Sequence, residues 1–177
     1  LRAEFEPNGL VALATWEVGW RNLTNSRRPV KEPADLAGLK IRTTPNPSHV
    51  KAFQLLGAVP TPMAFTELFT ALEMGSVDGQ ENPVTLILNA KFYEVQKHVS
   101  LTRHAFTTAP LVANKANFDA MDLKSRGILL EAARECAALL RTANEETEAS
   151  ALEELKKEGM EAVENPDREA FAAIVQE

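Results

Sequence analysis

The sequence predicts an α/β fold: a parallel-rich sheet flanked by helices and followed by one long C-terminal helix. Two patterns carry this. Short β-type runs alternate with amphipathic helical runs through residues 10–116, as strand–helix–strand units require. From Asn117 the alternation gives way to "ILLEAARECAALLRTANEETEASALEELKKEG", a long amphipathic run that Lys156, Lys157 and Gly159 close.

The first segment, "LRAEFEPNG", is helix-like until Pro7-Asn8-Gly9 breaks it, and "LVALATW" (Leu10–Trp16) then reads as a strand. "VGWRNLTNSRRPVKEPADLAG" is polar and rich in turn formers, with Asp35 placed to start one helical turn. "LKIRT" (Leu39–Thr43) is a second strand, and "SHVKAFQLLGA" is a helix with Gly57 as its C-cap. "VPTPM" is too short and proline-rich for more than an edge segment. In "FTELFTALEMG", Phe65, Leu68, Phe69 and Leu72 fall on one helix face. "SVDGQENP" reads as a turn, with Asn82-Pro83 capping the helix "VTLILNAKFYEVQ". His98–Ala116 is the longest β-like region, interrupted at Pro110, and "NPDREAFAAIVQ" is a last short helix.

Composition narrows the function. The chain has 177 residues, 45% of them hydrophobic and 25% charged, which suits one globular domain or one lobe of a larger protein. A net charge of −6 opposes phosphate backbones and anionic lipid, so nucleic-acid and membrane-surface roles are disfavoured. No apolar run is long enough to span a bilayer, and no signal peptide is visible. Opening at Leu1, the chain reads as a mature or truncated segment. The lone Cys136 cannot form an internal disulfide and reads as a small buried hydrophobe on its helix. No Cys/His spacing suggests a metal, and no cofactor is expected.

"KIRTTPNPS" then raises a question, because it sets a permanently charged guanidinium where the chain leaves a sheet for a helix. In open α/β sheets ligands sit outside the carboxyl ends of the strands. Arg42 stands at such an end, just before a helix N-terminus, and that combination favours a carboxylate gripped by a bidentate fork. Arg21, past the first strand, could converge on the same anion. A purely structural pairing of such an arginine with Asp78 or Glu81 is the competing reading.

The stretch from "GLKIR" through "LGAVPTPMAFTELFTALEMGSVDGQENP" to "KFYEVQK" resembles the periplasmic solute-binding proteins of TRAP transporters, the dicarboxylate-binding (DctP) family. "GWRNLTNSRRPV" and "DLAGLK" upstream, and the acidic helix after "NKANFDAM", extend the likeness over nearly the whole chain. The resemblance implies a type II periplasmic-binding-protein lobe, with most of the first lobe lacking a counterpart here. On that basis residues 1–108 form the ligand-binding α/β lobe. Residues 109–177 supply a crossing strand and helices that would pack on the first lobe.

By that resemblance Arg42 makes the principal salt bridge to a ligand carboxylate, Arg21 is a second ligand-facing arginine, and Asn82 hydrogen-bonds the same region. Phe65 sits against the ligand, while Glu17 and Trp20 flank Arg21 where substrates would be discriminated. Asn82 also reads as a helix cap, Phe65 as core, and Trp20 as packing. His104 reads as either a packed histidine or an interlobe hydrogen bond, and Arg27 and Arg28 as a solvated pair. The triplet Asn22-Leu23-Thr24 matches a glycosylation sequon by chance.

The implied function is non-catalytic and periplasmic. It is capture of a small organic acid (a C4-dicarboxylate, uronate or other sugar acid) for delivery to TRAP membrane subunits, with no membrane insertion of its own. The alternative is an α/β enzyme acting on sugar or keto acids. It is weakened by the lack of a nucleophile elbow, paired histidines or a Gly-rich phosphate loop, since His49, His98 and His104 lie on separate elements.

Overall fold

The computed structural model describes residues 2–175. Six strands, β1 (Leu10–Asn25), β2 (Lys40–Thr43), β3 (Val59–Pro62), β4 (Gly79–Pro83), β5 (His98–Asn114) and β6 (Glu161–Val163), form one mixed sheet in the order β3-β2-β4-β1-β5-β6. The helices are α1 (Arg2–Phe5), α2 (Pro47–Leu55), α3 (Phe65–Glu73), α4 (Val84–Asn89), α5 (Lys115–Ala120), α6 (Leu123–Lys157) and α7 (Arg168–Val175). β2 runs parallel to β3 and β4, and β5 to β6, but β1 lies antiparallel to β4 with Arg21 opposite Pro83.

Two compact units divide the chain, each assembled from two stretches. One comprises Leu1–Gly19 and Thr107–Thr147; the other comprises Trp20–Phe106 and Glu148–Glu177. β1, β5 and α6 contribute residues to both. In the first unit, Lys115 N donates to Gly9 O at 2.8 Å, and Arg126 lies over the Phe118 ring at 6.0 Å. Cys136, expected to be buried, is exposed there beside Trp16, Leu139 and Leu140. A small side chain on a helix gives no periodic signal of its own.

The second unit has two cores on opposite sheet faces. Leu68, Leu72, Ile87, Phe92, Val99, Leu101 and Leu155 form one; Leu23, Val30, Ile41, Phe53 and Phe171 form the other. Strand alternation accounts for the split: Ser100, between Val99 and Leu101, accepts a hydrogen bond from the Val30 N–H of the second core. Asn46 caps α2 by accepting from Ser48 N at 2.9 Å, and Gly57, at φ 83°, closes it as expected. β3 is an edge strand, which its prolines allow.

Three local expectations are corrected. β1 does not end at Trp16 but runs to Asn25 through the polar "RNLTN", and β6 was not anticipated. "DGQENP" is no turn: Gly79–Pro83 is a fully buried strand between β2 and β1. Its side chains satisfy one another, which is what lets polar residues occupy a central strand. Asn82 Nδ2 donates to Gln80 Oε1 at 2.5 Å, Gln80 Nε2 to Thr24 Oγ1 at 2.9 Å, and Thr24 Oγ1 to Gln96 Oε1 at 2.8 Å. Thirdly, Asn82 does not cap α4, whose N-cap is Pro83 with no side-chain bond.

Gly79 is required by close backbone approach. A Cβ there would lie 2.2 Å from Thr24 O and 2.8 Å from Asn25 Cβ, and the first of these is strand backbone. Gly79→Ala should therefore destabilise the protein by about 1–3 kcal/mol, measured by denaturant unfolding. Wild-type stability in that variant would contradict the β1–β4 packing.

Among the described residues no helix is long and apolar enough to cross a membrane.

Candidate functional site

β2 and β4, running in parallel, bring their carboxyl ends to one edge of the sheet. The antiparallel β1 delivers Arg21 there from inside the strand rather than from past its end. β1 and β2 are not neighbours, since β4 lies between them and adds Glu81 and Asn82 to the group.

Arg42 is 3% exposed. Its Nε and Nη2 donate to the Met63 carbonyl at 3.1 and 2.8 Å, and among the described residues no carboxylate lies within 4.0 Å of it. Burial pulls its pKa down, Glu81 opposes this, and Arg21 adds to it. The guanidinium stays protonated regardless. A buried cation without a matching acid is costly unless an anion arrives.

Arg21 differs. It is 5% exposed and forks onto Glu81 through Nε and Nη2, the second bond to Oε1 at 2.8 Å, while Nη2 also donates to Asn82 Oδ1 at 3.0 Å. Glu81 is fully buried and is further bonded to His104 Nε2 at 3.2 Å. Burial would raise the Glu81 pKa, but hydrogen bonds from His104 and Arg21, with the charge of Arg21, hold it below its ordinary 4.5. His104 is packed as well: its Nδ1 lies 2.8 Å from Thr102 Oγ1 and its ring meets Phe53 edge-on at 5.4 Å. Counting only the two guanidiniums and Glu81, one positive charge is left unmatched.

The remaining candidates are placed differently. Phe65, at the start of α3, is 44% exposed and tilts against Phe92 at 6.0 Å, so it is not plain core. Trp20 is 42% exposed and meets Phe106 edge-on at 5.1 Å. Being next to Arg21 on a strand, it projects from the opposite face. Glu17 belongs to the other unit, where it pairs with Arg141 at 2.7 Å and its carbonyl accepts from Asn144. Arg27 pairs with Asp78 at 2.6 Å, and Arg28 donates to the Asp35 and Ala37 carbonyls. Asn22 of the sequon is fully buried. The competing structural pairing holds for Arg21, which takes Glu81, while Asp78 goes to Arg27. His49 joins the cluster without having been singled out, because its partners lie on other elements and no local spacing marks it.

Residues 1–177 match the family described as bacterial extracellular solute-binding protein, family 7. The 2,3-diketo-L-gulonate-binding periplasmic protein of Escherichia coli (strain K12) is 44% identical over 172 residues, which is 97% of this chain and 52% of that protein. A TRAP periplasmic solute binding protein from Polaromonas sp. JS666, bound to D-erythronate, is similar at TM-score 0.94 and 42% identity, covering 98% of this chain and 57% of that one. Another, from Roseobacter denitrificans OCh 114 with bound L-galactonate, gives TM-score 0.90 at 35% identity over 99% of this chain and 58% of that one. The chain thus spans about half the length of the curated relatives it matches.

Proposed function

Because the chain belongs to the bacterial extracellular solute-binding proteins of family 7, we propose that it forms the carboxylate-gripping part of a periplasmic binding protein. That protein captures a sugar acid and presents it to a TRAP-type secondary transporter. One observation carries the reading. Arg42 is buried at a strand end, uses two nitrogens on a carbonyl, and has no acid to match it among the described residues.

A carboxylate docking on Arg42 supplies the missing negative charge, in surroundings drier than water where such hydrogen bonds are stronger. Arg21, held by Glu81, and Asn82 border the same place. Phe65 adds an apolar wall, while Trp20, on the opposite strand face, and Glu17, in the other compact unit, are left out of this grip. The remainder of the full-length protein would close over the other atoms. A ligand touching both sides shifts that hinge equilibrium by its differential affinity. Sugar acids are favoured over C4-dicarboxylates because the relatives above 40% identity named here carry 2,3-diketo-L-gulonate or D-erythronate. No bond is broken in this scheme.

A thermal-shift screen of the full-length protein against aldonates, uronates, keto sugar acids and C4-dicarboxylates tests it. One sugar acid should raise the melting midpoint most and be recovered unchanged. No shift with any acid, or consumption of the compound, would sink the reading.

A further inference from the structure

We infer that His49 is a specificity-determining residue of this site, reading the ligand hydroxyl nearest the carboxylate through its Nε2. The inference rests on the binding-protein reading and adds a contact which that reading does not contain. His49 lies in the first turn of α2, one element beyond Arg42. Its Nδ1 is 3.0 Å from Thr44 Oγ1 and 3.9 Å from Glu81 Oε1. The ring is thus anchored at one nitrogen by its neighbours.

The other nitrogen is uncommitted. Among the described residues Nε2 has no hydrogen-bond partner, and it is not one of the buried, unsatisfied atoms; the side chain is 26% exposed. It therefore opens onto accessible space from within the group that surrounds Glu81. The charges of Glu81 and Arg21 act on both Arg42 and His49, so His49 shares the electrostatic surroundings of Arg42.

Burial lowers the His49 pKa below its ordinary 6.5, and Arg21 and His104 push the same way against Glu81. A neutral imidazole cannot substitute for a cation against the carboxylate. It can hydrogen-bond an uncharged oxygen. If the Thr44 hydroxyl donates to Nδ1, Nε2 carries the proton and donates; in the other tautomer Nε2 accepts. A ligand hydroxyl serves either tautomer, whereas a methylene serves neither. Aldonates such as D-erythronate and L-galactonate bear such a hydroxyl next to the carboxylate, so His49 separates them from simple aliphatic acids.

The test uses full-length protein and titration calorimetry with D-erythronate, L-galactonate and their 2-deoxy counterparts. The parent protein should bind the better of the two aldonates about tenfold tighter than its 2-deoxy form, the worth of one good hydrogen bond. His49→Ala should reduce that preference to near one by weakening only the hydroxylated ligand. His49→Gln, which keeps a hydrogen-bonding group, should restore part of it and covers the case in which the alanine variant folds poorly. An unchanged preference in both variants, equal weakening of both ligands, or no binding of either aldonate to the parent overturns the inference. Arg42→Ala separates the two failures. If it abolishes binding while His49→Ala leaves the preference intact, carboxylate capture stands and the role of His49 falls. If it leaves binding unchanged, Arg42 leaves the site; the binding-protein reading itself fails only if the parent protein binds none of the acids or consumes them.

Discussion

Arg42→Ala in the full-length protein should weaken sugar-acid binding by about thirtyfold or more, equivalent to about 2–5 kcal/mol. Much of that loss is the penalty of leaving a desolvated carboxylate without its partner. Arg42→Lys should recover only part, because an ammonium is a single point charge and lacks the planar fork. The Met63 carbonyl, now receiving two N–H groups from Arg42, would then hold at most one donor in the same place. Fold stability should change far less than affinity, since no acid within 4.0 Å among the described residues loses a partner. Titration calorimetry on both variants decides the matter, and wild-type affinity in Arg42→Ala would remove this residue from the site.

Glu81→Gln should have the largest effect on stability, about 3 kcal/mol. The substitution removes the charge that Arg21 grips from both Nε and Nη2, in a position with no exposure to water. Arg21 would keep Asn82 Oδ1 at 3.0 Å and the residue-81 carbonyl, which are neutral acceptors and weaker than a carboxylate. The pH dependence distinguishes lost charge from disturbed packing. Because the folded state holds the Glu81 pKa below its ordinary 4.5, its contribution is present above that pH and is lost as pH falls below it. The parent protein should therefore lose stability steeply below about pH 4.5, and Glu81→Gln should flatten that acid limb. Denaturant unfolding at neutral pH and through the acid range gives both readings. Equal stability of the two proteins at neutral pH would show that the Arg21–Glu81 pair is not what holds β1 to β4 at this edge.

The strands and helices whose burial is apolar were legible in the sequence. "LKIRT" lies where its pattern placed it, and so do the α3 face of Leu68 and Leu72 and the long α6. Failure came where burial is polar. "RNLTN" and "GQENP" look like turns because Asn, Gly and Pro punctuate loops, yet they form the adjacent strands β1 and β4. What overrides their propensity is a ladder of side-chain hydrogen bonds across residues 56 and 72 positions apart in the chain, and no window of sequence contains both halves of such a bond. The boundary of the two compact units was hidden for the same reason, since β1, β5 and α6 continue through it without a break.

By itself the sequence determined the family, the α/β character, and Arg42 as a charge set at the end of a strand before a capped helix. All of these depend on local order: residue type, spacing and the next few neighbours. Only the tertiary structure decided that Arg21 is matched by Glu81 while Arg42 is not, and that His49 comes to lie beside Glu81 with Nδ1 held by Thr44. Whether a buried charge is compensated depends on which acids approach within a few ångströms, and here those come from strands and helices far apart along the chain.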